Sequence, residues 1–280
     1  MSLLSTGALF AQEVQEPKSL SPDWTNPFPP FRIVGNVYWV GTFDLGCYLI
    51  TTSQGDILIN TGLASSDTTI FQNIKALGFR PADIKILLTT QAHYDHMGAM
   101  ASIKKSTGAK LLVDEKDGAV VADGGKSDYA FGGEHSTFQP VKPDRLLQDG
   151  DTIRLGEMQI LLLHHPGHTK GSCSYLFTVK DENRSYRVLI ANMPSIVVDP
   201  PFQKITSYPE IAADYAYTFD AMKSLSFDIW LSSHASQFNL HQKHRPGDPY
   251  NPPAFYDRKG YDNALARLQA LYEEKLRQKD

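Results

Sequence analysis

Three short stretches of this sequence carry nitrogen and oxygen donors at spacings suited to a metal ion. The densest is Gln91-Ala92-His93-Tyr94-Asp95-His96, which places two imidazoles, a carboxylate and an amide side by side. Imidazole and carboxylate are donors that suit zinc. Residues so close along the chain do not all reach one ion, so His93 and the adjacent Asp95-His96 pair point towards two neighbouring metal positions. Two further histidines stand apart. His168 lies in the Pro- and Gly-punctuated run His164-His165-Pro166-Gly167-His168-Thr169-Lys170-Gly171-Ser172, and His234 lies in Ser232-Ser233-His234-Ala235. Taken singly, each reads as a hydrogen-bonded loop histidine. What joins them to the first group is a shared position directly after a strand-like apolar run. A carboxylate, two histidines and a water form a catalytic zinc set. His135, His164, His165, His241 and His244 read as structural or solvated.

Such loops need rigid elements beneath them. Residues 84–90 form a mostly apolar strand ahead of the first group, 159–163 ahead of the second and 227–231 ahead of the third. Around them the pattern predicts a hairpin over 31–34 and 37–40 about Gly35-Asn36, and strands over 47–51 and 56–60. Residues 68–77 carry Ile70, Phe71, Ile74 and Leu77 at helical spacing and end at Gly78. A short helix follows over 97–107. The second half repeats this grammar with a hairpin over 151–155 and 158–163, strands over 174–177 and 186–190, and helices over 211–222 and 261–272. Strands in each half followed by helices predict an α/β fold, a four-layer αββα sandwich with a weak internal repeat. The Gly-rich segment 123–133 reads as a mobile flap whose Tyr129 and Phe131 would cover a substrate.

The chain has 280 residues, 41% of them hydrophobic, enough to bury a substantial core. The expected organisation is one domain over 31–280, an irregular Pro-rich arm over 12–30, and a leader over 1–11. Residues 3–12 read as the end of a secretory apolar segment running into a small-residue cleavage site, so a periplasmic or secreted protein is expected. A net charge of −4 without a basic patch argues against nucleic acid or an anionic membrane as partner. No later run approaches the roughly 18–20 apolar residues that span a bilayer. The two cysteines, Cys47 and Cys173, either bridge or pack as small buried thiols.

The segment from Thr90 to Gly98 resembles the HxHxDH motif of the metallo-β-lactamase superfamily, with Gln91 at the first histidine. Asn60-Thr61-Gly62 resembles its Asp-Thr-Gly, Pro166-Gly167-His168-Thr169 its third-histidine motif, and Ser233-His234 its last. The finer resemblance is to third-subclass, class B metallo-β-lactamases of the GOB-like branch. It rests on that glutamine, on the run from Leu163 to Cys173, on Ala191-Asn192-Met193-Pro194-Ser195, and on Ser233-His234-Ala235-Ser236-Gln237-Phe238. The resemblance implies one zinc position at Gln91, His93 and His168, and a second at Asp95, His96 and His234. One or two Zn2+ are expected, with the second position the tighter because an amide is a poorer donor than imidazole. Asn60 stands where the superfamily often has an acidic residue supporting a histidine ring. Met193 stands where other branches place a cysteine ligand or a serine.

The implied activity is opening of the β-lactam amide bond of penicillins, cephalosporins and carbapenems by a metal-bound hydroxide, with Asp95 as the catalytic carboxylate. Such an activity confers antibiotic resistance. Ser195 and Lys170 are the candidate partners of the substrate carboxylate, alongside Tyr129 and Phe131. The partner is thus a small-molecule β-lactam, and a monomer is expected. The rival readings are a thioesterase or lactonase on the same fold, or a non-catalytic zinc-binding protein. The sister hydrolases usually carry a metal-bridging aspartate near Asn192-Met193, and residues 191–195 contain no carboxylate.

Overall fold

Alternation along the strands builds two sheets, each buried on both faces, in a computed structural model that describes residues 13–278. The expected leader at residues 1–11 lies outside the described residues. The first sheet runs β1 (Phe31–Val34), β2 (Val37–Trp39), β3 (Tyr48–Thr52), β4 (Gly55–Ile59), β5 (Ile84–Leu88), β6 (Lys110–Asp114) and β7 (Arg145–Leu147), in that spatial order. The second holds β8 (Thr152–Leu155), β9 (Met158–His164), β10 (Cys173–Lys180), β11 (Ser185–Ala191) and β12 (Ile229–Ser232), ordered β12-β11-β10-β9-β8.

Period-two alternation sorts the first sheet's side chains. Tyr48, Ile50, Ile57, Ile59 and Leu88 pack in one core with the second sheet, while Leu49, Leu58 and Leu87 pack in another with helices α1 (Ser66–Ala76) and α3 (Met100–Thr107). Ile211, Tyr215, Phe219 and Met222 of α5 (Ile211–Lys223) and Tyr261, Leu265 and Tyr272 of α7 (Arg258–Arg277) join the second sheet's core. The result is the αββα sandwich that strands followed by helices in each half predict.

The internal repeat is explicit in the pairing. β3 and β4 are antiparallel and β4 then pairs parallel with β5; β10 and β11 are antiparallel and β11 pairs parallel with β12. Both parallel pairs end level: Ile59 lies opposite Leu88, and Ala191 opposite Ser232.

Several expectations shift. The helix read over 97–107 is two: α2 (Tyr94–Met97), which carries Asp95 and His96, and α3, separated at Gly98-Ala99. β6, β7, α4 (Gly118–Asp123) and α6 (Leu240–Lys243) are additional. The segment read as a flap is anchored at its base. The Asp128 carboxylate accepts from the Ala130 and Phe131 amides, and the Tyr129 hydroxyl donates to the carbonyls of Gly167 and His168. Cys47 and Cys173 are both buried free thiols, one in each core. The arm is structured too: the Gln15 amide donates to Ser136 O, the Ala64 amide donates to Glu16, and Trp24 Nε1 donates to Asp44.

Candidate metal centre

The turn that carries the first donor group is set by Asn60-Thr61-Gly62. Asn60, in the left-handed region at φ 62°, accepts at Oδ1 from the Thr90 amide (2.9 Å) and the Thr89 and Thr90 hydroxyls, and donates to Gly46 O. These bonds draw Thr89 and Thr90 off the ladder and fix where Gln91 begins. Thr61 donates twice to the His96 carbonyl, and the Gly98 amide donates to Gly62 O. The motif therefore holds backbone. Asn60 makes no hydrogen bond to a histidine ring, so the support expected from an acid there does not operate in this chain.

The loops of β5, β9 and β12 bring six donors to a cavity of about 180 Å³, whose wall includes Gln91, His93, Asp95, His168 and His234. Asp95, His96 and His234 offer ligand atoms that lie within 4.8 Å of one another. Asp95 Oδ2 is 3.1 Å from His96 Nε2 and 3.3 Å from His234 Nε2. Nearby, His93 Nδ1 is 3.2 Å from His168 Nε2. Ligands about 2.0–2.1 Å from a tetrahedral zinc stand about 3.3 Å apart, so these spacings are those of tetrahedron edges.

Hydrogen bonds behind the rings decide which nitrogens face inward. His234 Nδ1 is 3.0 Å from Asp44 Oδ2, leaving Nε2 towards Asp95. His168 Nδ1 donates to the Ser195 carbonyl at 2.7 Å, leaving Nε2 bare. His93 Nε2 faces Asp128 Oδ1 at 3.5 Å, leaving Nδ1 towards His168. Two imidazole nitrogens 3.2 Å apart must share a proton, as a hydrogen bond, or a metal ion between them.

The electrostatics follow. Burial pushes His168 down to about 3, with the neighbouring His93 adding to the fall. Burial also opposes charge on His93, but Asp128 outweighs it and raises that ring. Against burial, the hydrogen bonds that the His234 ring donates to Asp44 and Asp95 raise it to about 9. Burial likewise opposes ionisation of Asp95, yet His96 and His234 hold its carboxyl well below the usual range. Protons thus stand where a metal would, and the donor set fits zinc. The buried Gln91 Oε1 and His96 Nε2 have no hydrogen-bond partner among the described residues, as expected of atoms meant for a cation.

Of the other expected residues, Ser195 and Phe131 line the cavity, and Phe131 packs edge-on against His93 at 4.7 Å. Tyr129 instead clamps the His168 loop and packs on Tyr208. The Lys170 ammonium reaches Ser207 O, away from the cavity wall. Met193 lines the wall with Asn192, Trp24 and Gln237. Three carboxylates went unread in the sequence: Asp44, Asp128 and Asp117. Buried Asp117 accepts from the Ala92 amide, the Thr169 hydroxyl and the Gly171 amide, joining the His93 and His168 loops. Each lies far along the chain from the ring or loop it serves, so spacing carries no sign of it.

A family profile described as the metallo-beta-lactamase superfamily matches residues 46–181. The class B3 di-zinc metallo-beta-lactamase LRA-12 from an Alaskan soil metagenome is 65% identical, with a TM-score of 0.93 over 94% of this chain and 100% of that one. GOB-18 of Elizabethkingia meningoseptica, a metallo-beta-lactamase, is 56% identical, with a TM-score of 0.94 over 95% of this chain and 99% of that one. Among curated proteins, an acyl-coenzyme A thioesterase of Gallus gallus is 29% identical over 45% of this chain and 50% of its own length. The chain spans about half the length of that curated relative. Fold, donor geometry and near full-length likeness agree: this chain belongs to the metallo-β-lactamase superfamily, beside the class B3 enzymes.

Proposed function

We propose that the protein is a zinc-dependent hydrolase that opens the β-lactam amide bond. The observation that carries this reading is the pair of donor groups at tetrahedral spacing in one cavity, in a chain 65% identical to a class B3 β-lactamase. Asp95, His96 and His234 would hold the tighter zinc, and Gln91, His93 and His168 the weaker one. When bound, zinc supplies Lewis acidity and brings a water's ionisation towards neutral pH.

The chain's own residues do the rest. Asp95, kept ionised, orients a water at the cavity and accepts its proton. Asp44, Asp128 and Ser195 O hold the His234, His93 and His168 rings in the tautomers described above. Phe131 and Trp24 narrow the opening, and the Ser195 hydroxyl is the donor offered to a substrate carboxylate. Lys170 and Tyr129 would reach substrate only by leaving Ser207 and the His168 loop. The same reading makes the protein an exported monomer, with residues 31–280 as its single domain. Among the described residues no helix is long and apolar enough to cross a membrane.

The thioesterase relative makes thioester cleavage the second reading, and one experiment separates the two. The purified protein is expected to open a penicillin, a cephalosporin or a carbapenem, and to lose that activity on exhaustive chelation and regain it with zinc. Thioester turnover without β-lactam turnover would move the protein to the sister activity. Full activity without metal would remove the mechanism.

A further inference from the structure

The two halves of the repeat place the same residue type at the same point. Asn60 follows the last residue of β4 and Asn192 the last of β11. Thr89 and Ser233 are the matching positions after Leu88 of β5 and Ser232 of β12. Each asparagine oxygen accepts from the hydroxyl of its neighbour: Thr89 at 3.3 Å from Asn60 Oδ1, and Ser233 at 3.5 Å from Asn192 Oδ1. Thr90 and Ser233 join the two sets through their hydroxyls, 2.9 Å apart.

There the symmetry breaks. Asn60 Nδ2 donates to Gly46 O, whereas Asn192 Nδ2 is buried with no partner among the described residues. Asn192 is 3% exposed and lines the cavity that holds the donor groups. Its Oδ1 contacts the hydroxyl of Ser233, which precedes His234 and is bonded to Thr90, which precedes Gln91. The side chain therefore sits where the two groups meet. A buried amide donor without an acceptor is costly, so one kept at a cavity wall calls for an acceptor in the cavity. Among the described residues no Lys or Arg lines this wall to take that acceptor instead.

Building on the hydrolase reading above, we propose that Asn192 Nδ2 is a hydrogen-bond donor to an oxygen seated on the cavity floor between the two donor groups. That oxygen is either a substrate oxygen or that of the attacking water. The test compares Asn192→Leu, which keeps the volume and removes the donor, and Asn192→Ser with the wild type. It measures kcat and KM on a penicillin and a cephalosporin, zinc per chain, and the melting temperature of the metal-free protein.

The expected result is a loss of about ten- to a hundredfold in kcat/KM with unchanged zinc content. The metal-free melting temperature of the Leu variant should be equal or higher, because removing a buried unpaired donor outweighs losing the long 3.5 Å contact from Ser233 to Oδ1. A loss confined to kcat identifies the reacting oxygen, and a rise in KM alone identifies a substrate oxygen held equally in the ground state. Unchanged kinetics in both variants overturn the proposal, as does a lower metal-free melting temperature in both, which would make Asn192 an ordinary structural hydrogen-bonder. If the wild type opens no β-lactam, the functional reading fails separately, and the melting comparison still decides whether this donor is unpaired.

Discussion

His234 stands between two carboxylates, Asp44 at 3.0 Å on Nδ1 and Asp95 at 3.3 Å on Nε2. With its affinity for a proton raised to about 9, the metal-free ring is cationic at neutral pH. A metal at Nε2 must displace that proton, whereas His96, lowered mainly by burial, has none to release. Zinc affinity is therefore expected to rise with pH by about tenfold per unit up to roughly 9 and then to level off. The sign follows because the proton competes below the folded value and is absent above it. Competition against a chelator from pH 6.5 to 8.5 measures the slope, and Asp44→Asn should flatten it by lowering the ring's proton affinity. A pH-independent constant in the wild type would show that His234 does not bind the metal. At this scale the histidines and Asp95 were legible because they cluster after strands. Asp44, in Thr42-Phe43-Asp44-Leu45, had no neighbour in sequence to mark it.

At the level of elements, the single turn of α2 is too short to hold itself. Its position comes from the Thr61 and Gly62 bonds and from the close approach of Gly98 to residues 63–64. A Cβ on Gly98 would lie 2.3 Å from Ala64 N and Leu63 C, both backbone atoms that cannot swing aside. Gly98→Ala is expected to cost about 2–3 kcal/mol of stability through forced displacement and to weaken zinc binding by tilting His96. Urea unfolding with a parallel zinc titration checks both. A loss below about 0.5 kcal/mol, the range of surface changes away from such features, would contradict it. The same closeness explains why the sequence suggested one helix over 97–107: periodicity continues through Gly98, and only the tertiary contact divides it. β6 and β7 were harder to read. Lys110–Asp114 has only three apolar residues, Leu111, Leu112 and Val113, between charged ends, and Arg145–Leu147 has three residues in all, too few to show a period. β3, β4, β10 and β11 were legible because apolar runs of strand length flank short turns.

Across the whole molecule, each donor group draws on both halves. Asp95 and His96 come from the first and His234 from the second, as do His93 and His168 in turn. The pseudo-repeat was faint in sequence because its halves share strand order and the paired asparagines but little residue identity. The arm adds a third contribution, since Trp24 lies across the seam with Nε1 on the same Asp44 oxygen that holds His234. That arrangement has an optical consequence. The Trp24 and His234 rings are 5.6 Å apart, while Trp39 and Trp230 are buried in the core. The emission of one indole should therefore report the charge on one imidazole. Zinc added to the metal-free protein is expected to change the tryptophan fluorescence, and raising the pH of the metal-free protein through about 9 should do so as well. Trp24→Phe should silence both responses, whereas a response that persists would place the signal in the core. The protein thus carries its own lamp beside the ring whose occupancy matters most.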